Sequence, residues 1–233
     1  MKLGISQPTY LPWHGYFGLI DFVDEFVFLE NVQFSKRSWQ QRNKIRDNKG
    51  EIYLTLSVKT KNKYYQKINE VELDNFYEVK QKHLETIRQN YSNAKYFDLY
   101  FPNFQKIMEE NFNKLSDLNK RLILYFCREL KINTKISTDR DYTFQTKNIE
   151  YLKDICLKKS CSTYISTEGS KKYFTDLSNF PKTDIKIKYF QFKDMKYLQC
   201  YDNFTPRLSI IDLLFNLGPE SLNYIRNNFY ICN

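Results

Sequence analysis

Hydrophobic and polar positions along this chain fall into segments whose periods can be told apart. Lys2-Leu3-Gly4-Ile5-Ser6 is a mostly apolar run of strand length. Phe17 to Val23 has the spacing of a short helix with one apolar face, and Glu25-Phe26-Val27-Phe28-Leu29-Glu30 reads as a second strand. Strand, loop, helix and strand in close succession predict a βαβ unit and therefore a parallel sheet. Residues 51–59 and 67–73 alternate as strands and predict a hairpin or crossing pair around a lysine-rich tip. Residues 77–91, 99–112 and 116–130 place apolar side chains three and four apart and predict three helices, with Ser116-Asp117 where an N-cap belongs. Further on, residues 135–137, 162–166 and 184–190 read as strands and 148–158 as a helix. Residues 204–218 read as a largely apolar helix stopped by Gly218-Pro219, and a final helix follows over 219–226. The predicted fold is α/β: a Rossmann-like parallel sheet flanked by helices. Residues 76–130 form a mainly helical insertion or sub-lobe within one domain spanning 1–233.

Composition narrows the picture. With 42% hydrophobic and 17% aromatic residues, the 233-residue chain can bury a real core, which excludes global disorder. Its formal charge of +9 raises nucleic acid, a membrane surface or an anionic substrate as partners. The excess is lysine-rich and spread along the chain, with no basic tail or RNA-binding aromatic motif, so no nucleic acid is expected. The five cysteines are odd in number and scattered, and there are only two histidines, so neither a disulfide framework nor a metal site is expected. No stretch has the length of a membrane span, and Met1-Lys2 leads straight into the first strand with no signal peptide. The expected location is the cytoplasm.

Candidate chemistry gathers at the loops that leave the predicted strands. Gln7-Pro8-Thr9-Tyr10-Leu11-Pro12-Trp13-His14-Gly15-Tyr16 holds two of the six prolines, one of the two tryptophans and one of the two histidines. It follows the first strand at the carboxyl edge of the sheet, where open α/β folds bind ligands. The second strand empties into residues 31–46, amide-rich and basic. There Lys36, Arg37, Arg42 and Lys44 suit phosphate or carboxylate groups, and Trp39 suits a base or sugar ring. Ser166-Thr167-Glu168-Gly169-Ser170-Lys171-Lys172 follows a third strand as a turn leading into a helix, the form of an anion site. Asp212 lies inside an apolar helix and needs a partner if buried, from Arg207 or a loop amide. His83 reads as an ordinary helix histidine, and Cys161 as a packed thiol.

Some of these residues resemble a known family. Gln7-Pro8-x-Tyr10-Leu11-Pro12-Trp13-x-Gly15-Tyr16-Phe17, Leu29-Glu30-Asn31-Val32-Gln33-Phe34 with Arg42-Asn43, Leu115-Ser116-Asp117-Leu118-Asn119, Tyr164-Ile165-Ser166, and Leu208-Ser209-Ile210-Ile211-Asp212-Leu213-Leu214-Phe215-Asn216-x-Gly218 resemble the WbqC-like family in order along nearly the whole chain. The resemblance implies a protein of bacterial surface-polysaccharide (O-antigen or capsule) biosynthesis that attaches a glycyl or other acyl group to a nucleotide-linked or lipid-linked amino sugar. A second similarity is to the His-x-Gly-His loop of nucleotidyltransferases and pantothenate synthetases. Here Trp13 and Tyr16 stand where the histidines belong, with His14 one place away.

Acyl transfer to an amine needs a base and oxyanion donors. The catalytic set expected on that reading is His14 as base with Gln7 and Tyr16. The substrate-binding set is Tyr10, Trp13, Asn31, Gln33, Lys36, Trp39, Arg42, Asn43, Ser166, Thr167, Lys171 and Asp212. No resident cofactor is assigned; an acyl-CoA or ATP is the candidate donor or activator. The alternatives are an ATP-dependent ligase or nucleotidyltransferase with a degenerate loop, and a non-catalytic sugar-nucleotide-binding protein.

Overall fold

The computed structural model describes residues 1–173, 180 and 182–232. In chain order its elements are β1 (Lys2–Ser6), α1 (His14–Phe22), β2 (Glu25–Phe28), β3 (Arg42–Asp47), β4 (Gly50–Thr55), α2 (Phe76–Tyr91), α3 (Phe97–Glu109), α4 (Leu115–Glu129), β5 (Lys135–Thr138), α5 (Asn148–Lys158), β6 (Thr163–Thr167), β7 (Lys186–Phe192), α6 (Ile210–Leu217), α7 (Ser221–Asn227) and β8 (Phe229–Cys232). Six strands form one sheet in the order β5-β2-β1-β6-β7-β8, and β3 and β4 form a separate antiparallel hairpin. The first five strands of the sheet run parallel, and β8 closes the edge antiparallel to β7. The expected α/β architecture, a mostly parallel sheet flanked by helices, is what the chain adopts.

Alternation along each strand divides the apolar residues between the two faces of the sheet. Leu3, Ile5, Val27, Tyr164, Ile187 and Tyr189 face a smaller core with Tyr151, Ile155 and Cys156 of α5. Phe26, Phe28, Ile165, Phe190 and Phe192 face the larger core, which takes in α1, α2, α3, α4 and α6 together with Ile45 and Leu54 of the hairpin. The three helices of the predicted insertion thus pack into the same apolar cluster as the sheet.

The chain runs from β1 outward to β2 and β5, then returns to the other side of β1 to form β6 and β7. The crevice between the carboxyl ends of β1 and β6 is therefore a topological switch point.

Several boundaries differ from the sequence reading. The strand β4 pairs with β3, cut from the supposed basic loop, and not with residues 67–73. In that segment Ile68 and Val71 are buried three residues apart, and residues 68–70 form a 3-10 turn in which the Glu70 carboxylate accepts from the Lys67 backbone N–H. Helix α6 begins at Ile210 and not at residue 204, because Ser209 caps it by accepting from the Ile211 N–H and Arg207 just before it has φ 56°. Strand β8 has no signal in the sequence, since four residues are too few to show a period. The helix predicted beyond Tyr173 lies outside the described residues.

Candidate functional site

A cleft of about 500 Å³ opens at the switch point. Ser6 ends β1 in one wall, followed by Thr9, Pro12, Trp13, Gly15 and Tyr16. Thr167, Glu168 and Gly169 after β6, with Phe190, Gln191 and Phe192 of β7, make a second wall. Trp39, Asn43 and Lys44 from the hairpin side and Arg207 complete it. The hairpin is held against the first loop by Asn43, whose side-chain amide donates to the carbonyls of Tyr10 (3.1 Å) and Leu11 (2.7 Å). A further tie runs from the Ser209 N–H to the Lys44 carbonyl at 2.9 Å, and the Ile210 N–H donates to the Pro12 carbonyl at 2.8 Å.

Of the expected residues, Trp13, Tyr16, Trp39, Asn43 and Thr167 line the cleft. Tyr16 donates its hydroxyl to the Gln7 carbonyl at 3.0 Å, and its own ionisation is suppressed by burial. Trp39 is 49% exposed and stacks on Tyr53 with ring centroids 6.3 Å apart, while the Arg42 guanidinium covers the other partner, 4.9 Å from the Tyr53 ring.

His14 is elsewhere. Its ring is 1% exposed, enclosed by Trp13, Phe192, Tyr197 and Tyr224, and neither ring nitrogen has a hydrogen-bond partner. Burial, and secondarily the Arg207 charge, lower its pKa to about 3. The general-base role expected for His14 does not fit this placement: its ring nitrogens are enclosed and unpartnered, and His14 is not among the residues that line the cleft, so it is not placed to take a proton from a ligand there.

Other expected contacts are taken up inside the fold. The Gln7 side-chain oxygen accepts from Gln40 at 2.7 Å, and the Tyr10 hydroxyl meets Nδ1 of the buried His83 at 2.8 Å. Asn31 donates to the carbonyls of Asp139, Arg140 and Tyr142, joining the second strand to β5. Gln33 donates to the Tyr64 carbonyl, and Lys36 is exposed. The Ser166 hydroxyl pairs with Ser170, and Lys171 lies 5.3 Å from the Tyr189 ring centre. Asp212 is fully buried and accepts from Tyr197 (2.6 Å), Tyr91 (2.7 Å) and Gln199 (2.9 Å). Burial raises its pKa against the pull of these donors. Arg207, its suggested partner, instead binds Asp194 at 2.8 Å and lies 5.5 Å from the Trp13 ring centre.

The cleft therefore has a charge pattern that the sequence did not disclose. Lys44 is paired with Glu51 at 2.6 Å and Arg207 with Asp194, so both lining cations have counterions. Glu168 is the lining carboxylate, exposed and without an ion pair among the described residues. Its sequence signal was only its place beside Thr167. Phe190, Gln191 and Phe192 were equally hidden, because the ends of a buried strand look like any other apolar run.

The WbqC-like protein family model matches residues 7–224. The chain belongs to the WbqC-like protein family. A relative from Mycobacterium tuberculosis (strain ATCC 25618 / H37Rv), "Uncharacterized protein Rv1507c", is 35% identical over 230 residues, covering 97% of each chain. No solved structure matches. In this WbqC-like chain every cleft-lining residue except Ser6 falls within the matched stretch. No described helix is long and apolar enough to cross a membrane.

Proposed function

We propose that this WbqC-like protein is a transferase that attaches a glycyl or other acyl group to a nucleotide-linked or lipid-linked amino sugar in surface-polysaccharide biosynthesis. The observation that carries this reading is the aromatic cleft at the switch point with half-exposed Trp39 at its edge. A sugar ring stacks on indole through its C–H face, while hydroxyls such as those of Thr9 and Thr167 serve its polar edge. On this reading the nucleotide leaves the cleft across Trp39 toward the exposed Lys36 and Arg37, which precede it in the chain. Acyl-CoA is the donor class preferred. An ATP-dependent ligase or nucleotidyltransferase has less support, because a triphosphate calls for free cations inside the cleft and Lys44 and Arg207 are paired.

The test is an assay of the purified protein with acetyl-CoA or glycyl-CoA and UDP-amino sugars, read by mass spectrometry for the amide. Amide formation supports the transferase. Saturable sugar-nucleotide binding with no product under any of these donors would replace it by a non-catalytic binding protein.

A further inference from the structure

We infer that Glu168 is the group that recognises and deprotonates the amine of the ligand, and that the cleft selects a ring bearing a free primary amine over one carrying an anionic or acylated group at that place. This rests on the acyl-transfer reading for the reaction, but the binding preference stands on the cleft itself.

Trp13, Tyr16, Phe190 and Phe192 give the cleft apolar walls, and Glu168 stands exposed among the lining residues. An anion entering would find the Lys44 and Arg207 charges already engaged at 2.6 and 2.8 Å. A cation would find the Glu168 carboxylate unpaired among the described residues. Glu168 directly follows Thr167, the last residue of β6, and lines the crevice at the switch point. On the adjoining strand β7, Gln191 also lines the cleft, and its side-chain oxygen accepts from the Tyr230 hydroxyl opposite it on β8. The site thus offers a carboxylate for an ammonium and indole faces for the ring.

With an acyl thioester as donor the step balances as follows. The Glu168 carboxylate takes a proton from the ligand ammonium, and the freed nitrogen lone pair forms the C–N bond to the thioester carbonyl. The C–S bond then breaks, the thiolate takes the second nitrogen proton, and Glu168 releases the first to water.

The test compares UDP-glucosamine, UDP-N-acetylglucosamine, glucosamine and N-acetylglucosamine as probes for the wild type and Glu168→Gln, by calorimetry at pH 7. Wild type is expected to bind each free amine about tenfold or more tightly than its acetylated counterpart, and Glu168→Gln to lose that preference. The melting temperature should be unchanged, since Glu168 is exposed and holds no ion pair among the described residues. Equal affinity for amine and acetamide in wild type, or a preference that survives in Glu168→Gln, overturns the inference. If both UDP-sugars bind equally well, Glu168 loses its role while the sugar-nucleotide reading survives. If glucosamine keeps its preference but UDP adds nothing, the nucleotide part of the proposed function falls and Glu168 stands. Failure of all four probes to bind rejects both.

Discussion

At the scale of single residues, the local fold around Trp13 decides what the cleft looks like. A Cβ added to Gly15 would stand 2.3 Å from Cη2 of Trp13, so the indole occupies space that only glycine leaves open. Gly15→Ala is therefore expected to push Trp13 out of the cleft wall and shift tryptophan emission, with Trp39 as the remaining reporter, and to weaken sugar-nucleotide binding. An emission spectrum identical to wild type would show that the close approach is not required. His14, next to Trp13, illustrates how residue type misleads. Its chemistry is the most versatile in the loop, and its surroundings of Phe192, Tyr197 and Tyr224 use only its flat ring. Nothing in the neighbouring letters could reveal this, because those rings arrive from β7 and the segments on either side of α6.

Between elements, the contacts that build the site are made by polar groups buried at junctions. Only the first strand of the hairpin reads as part of a loop, because Arg42-Asn43-Lys44-Ile45-Arg46 lacks apolar alternation, yet Asn43, Ile45 and Arg46 are all buried. Arg46 is satisfied by carbonyls of Asp202 and Asn203 and by Thr205, and Asn43 by the carbonyls of Tyr10 and Leu11. The partners lie far away in sequence, so the pattern looks solvated when it is not. Asn43→Ala strands two buried carbonyls and is expected to cost about 2–4 kcal/mol, measured as a lower midpoint in urea at unchanged slope. A loss below about 0.5 kcal/mol would mean that the hairpin is held by its other ties. The helices α2, α3 and α4, by contrast, were legible to within about three residues, since each has a long apolar stripe facing one core.

On the scale of the whole molecule, the two histidines tie stability to pH. Burial lowers the pKa of His14 to about 3 and that of His83 to about 4, against about 6.5 in an unfolded chain. Below pH ~6.5 the unfolded state binds protons that the folded state refuses. Their contribution is therefore fully present above pH ~6.5 and declines on acidification. From pH 6.5 to pH 5 the pair should remove about 3 kcal/mol of stability. His14→Phe keeps a flat ring in the cage and should lose about half of that pH dependence while staying folded; urea titrations at the two pH values measure it. An unchanged pH slope in that variant would mean that His14 is protonated in the native state. The limits of the sequence follow the same division by distance. Periodicity and turn residues determined the α/β class, the first βαβ unit, the helices and the position of the first loop at the sheet edge, because those depend on contacts within a few residues. Tertiary structure alone decided that residues 42–47 form a strand, that His14 is caged, that Lys44 and Arg207 are paired and that Glu168 lines the cleft with no ion pair among the described residues. Burial and charge pairing depend on what the rest of the chain brings alongside, and a residue's neighbours in sequence do not carry that information.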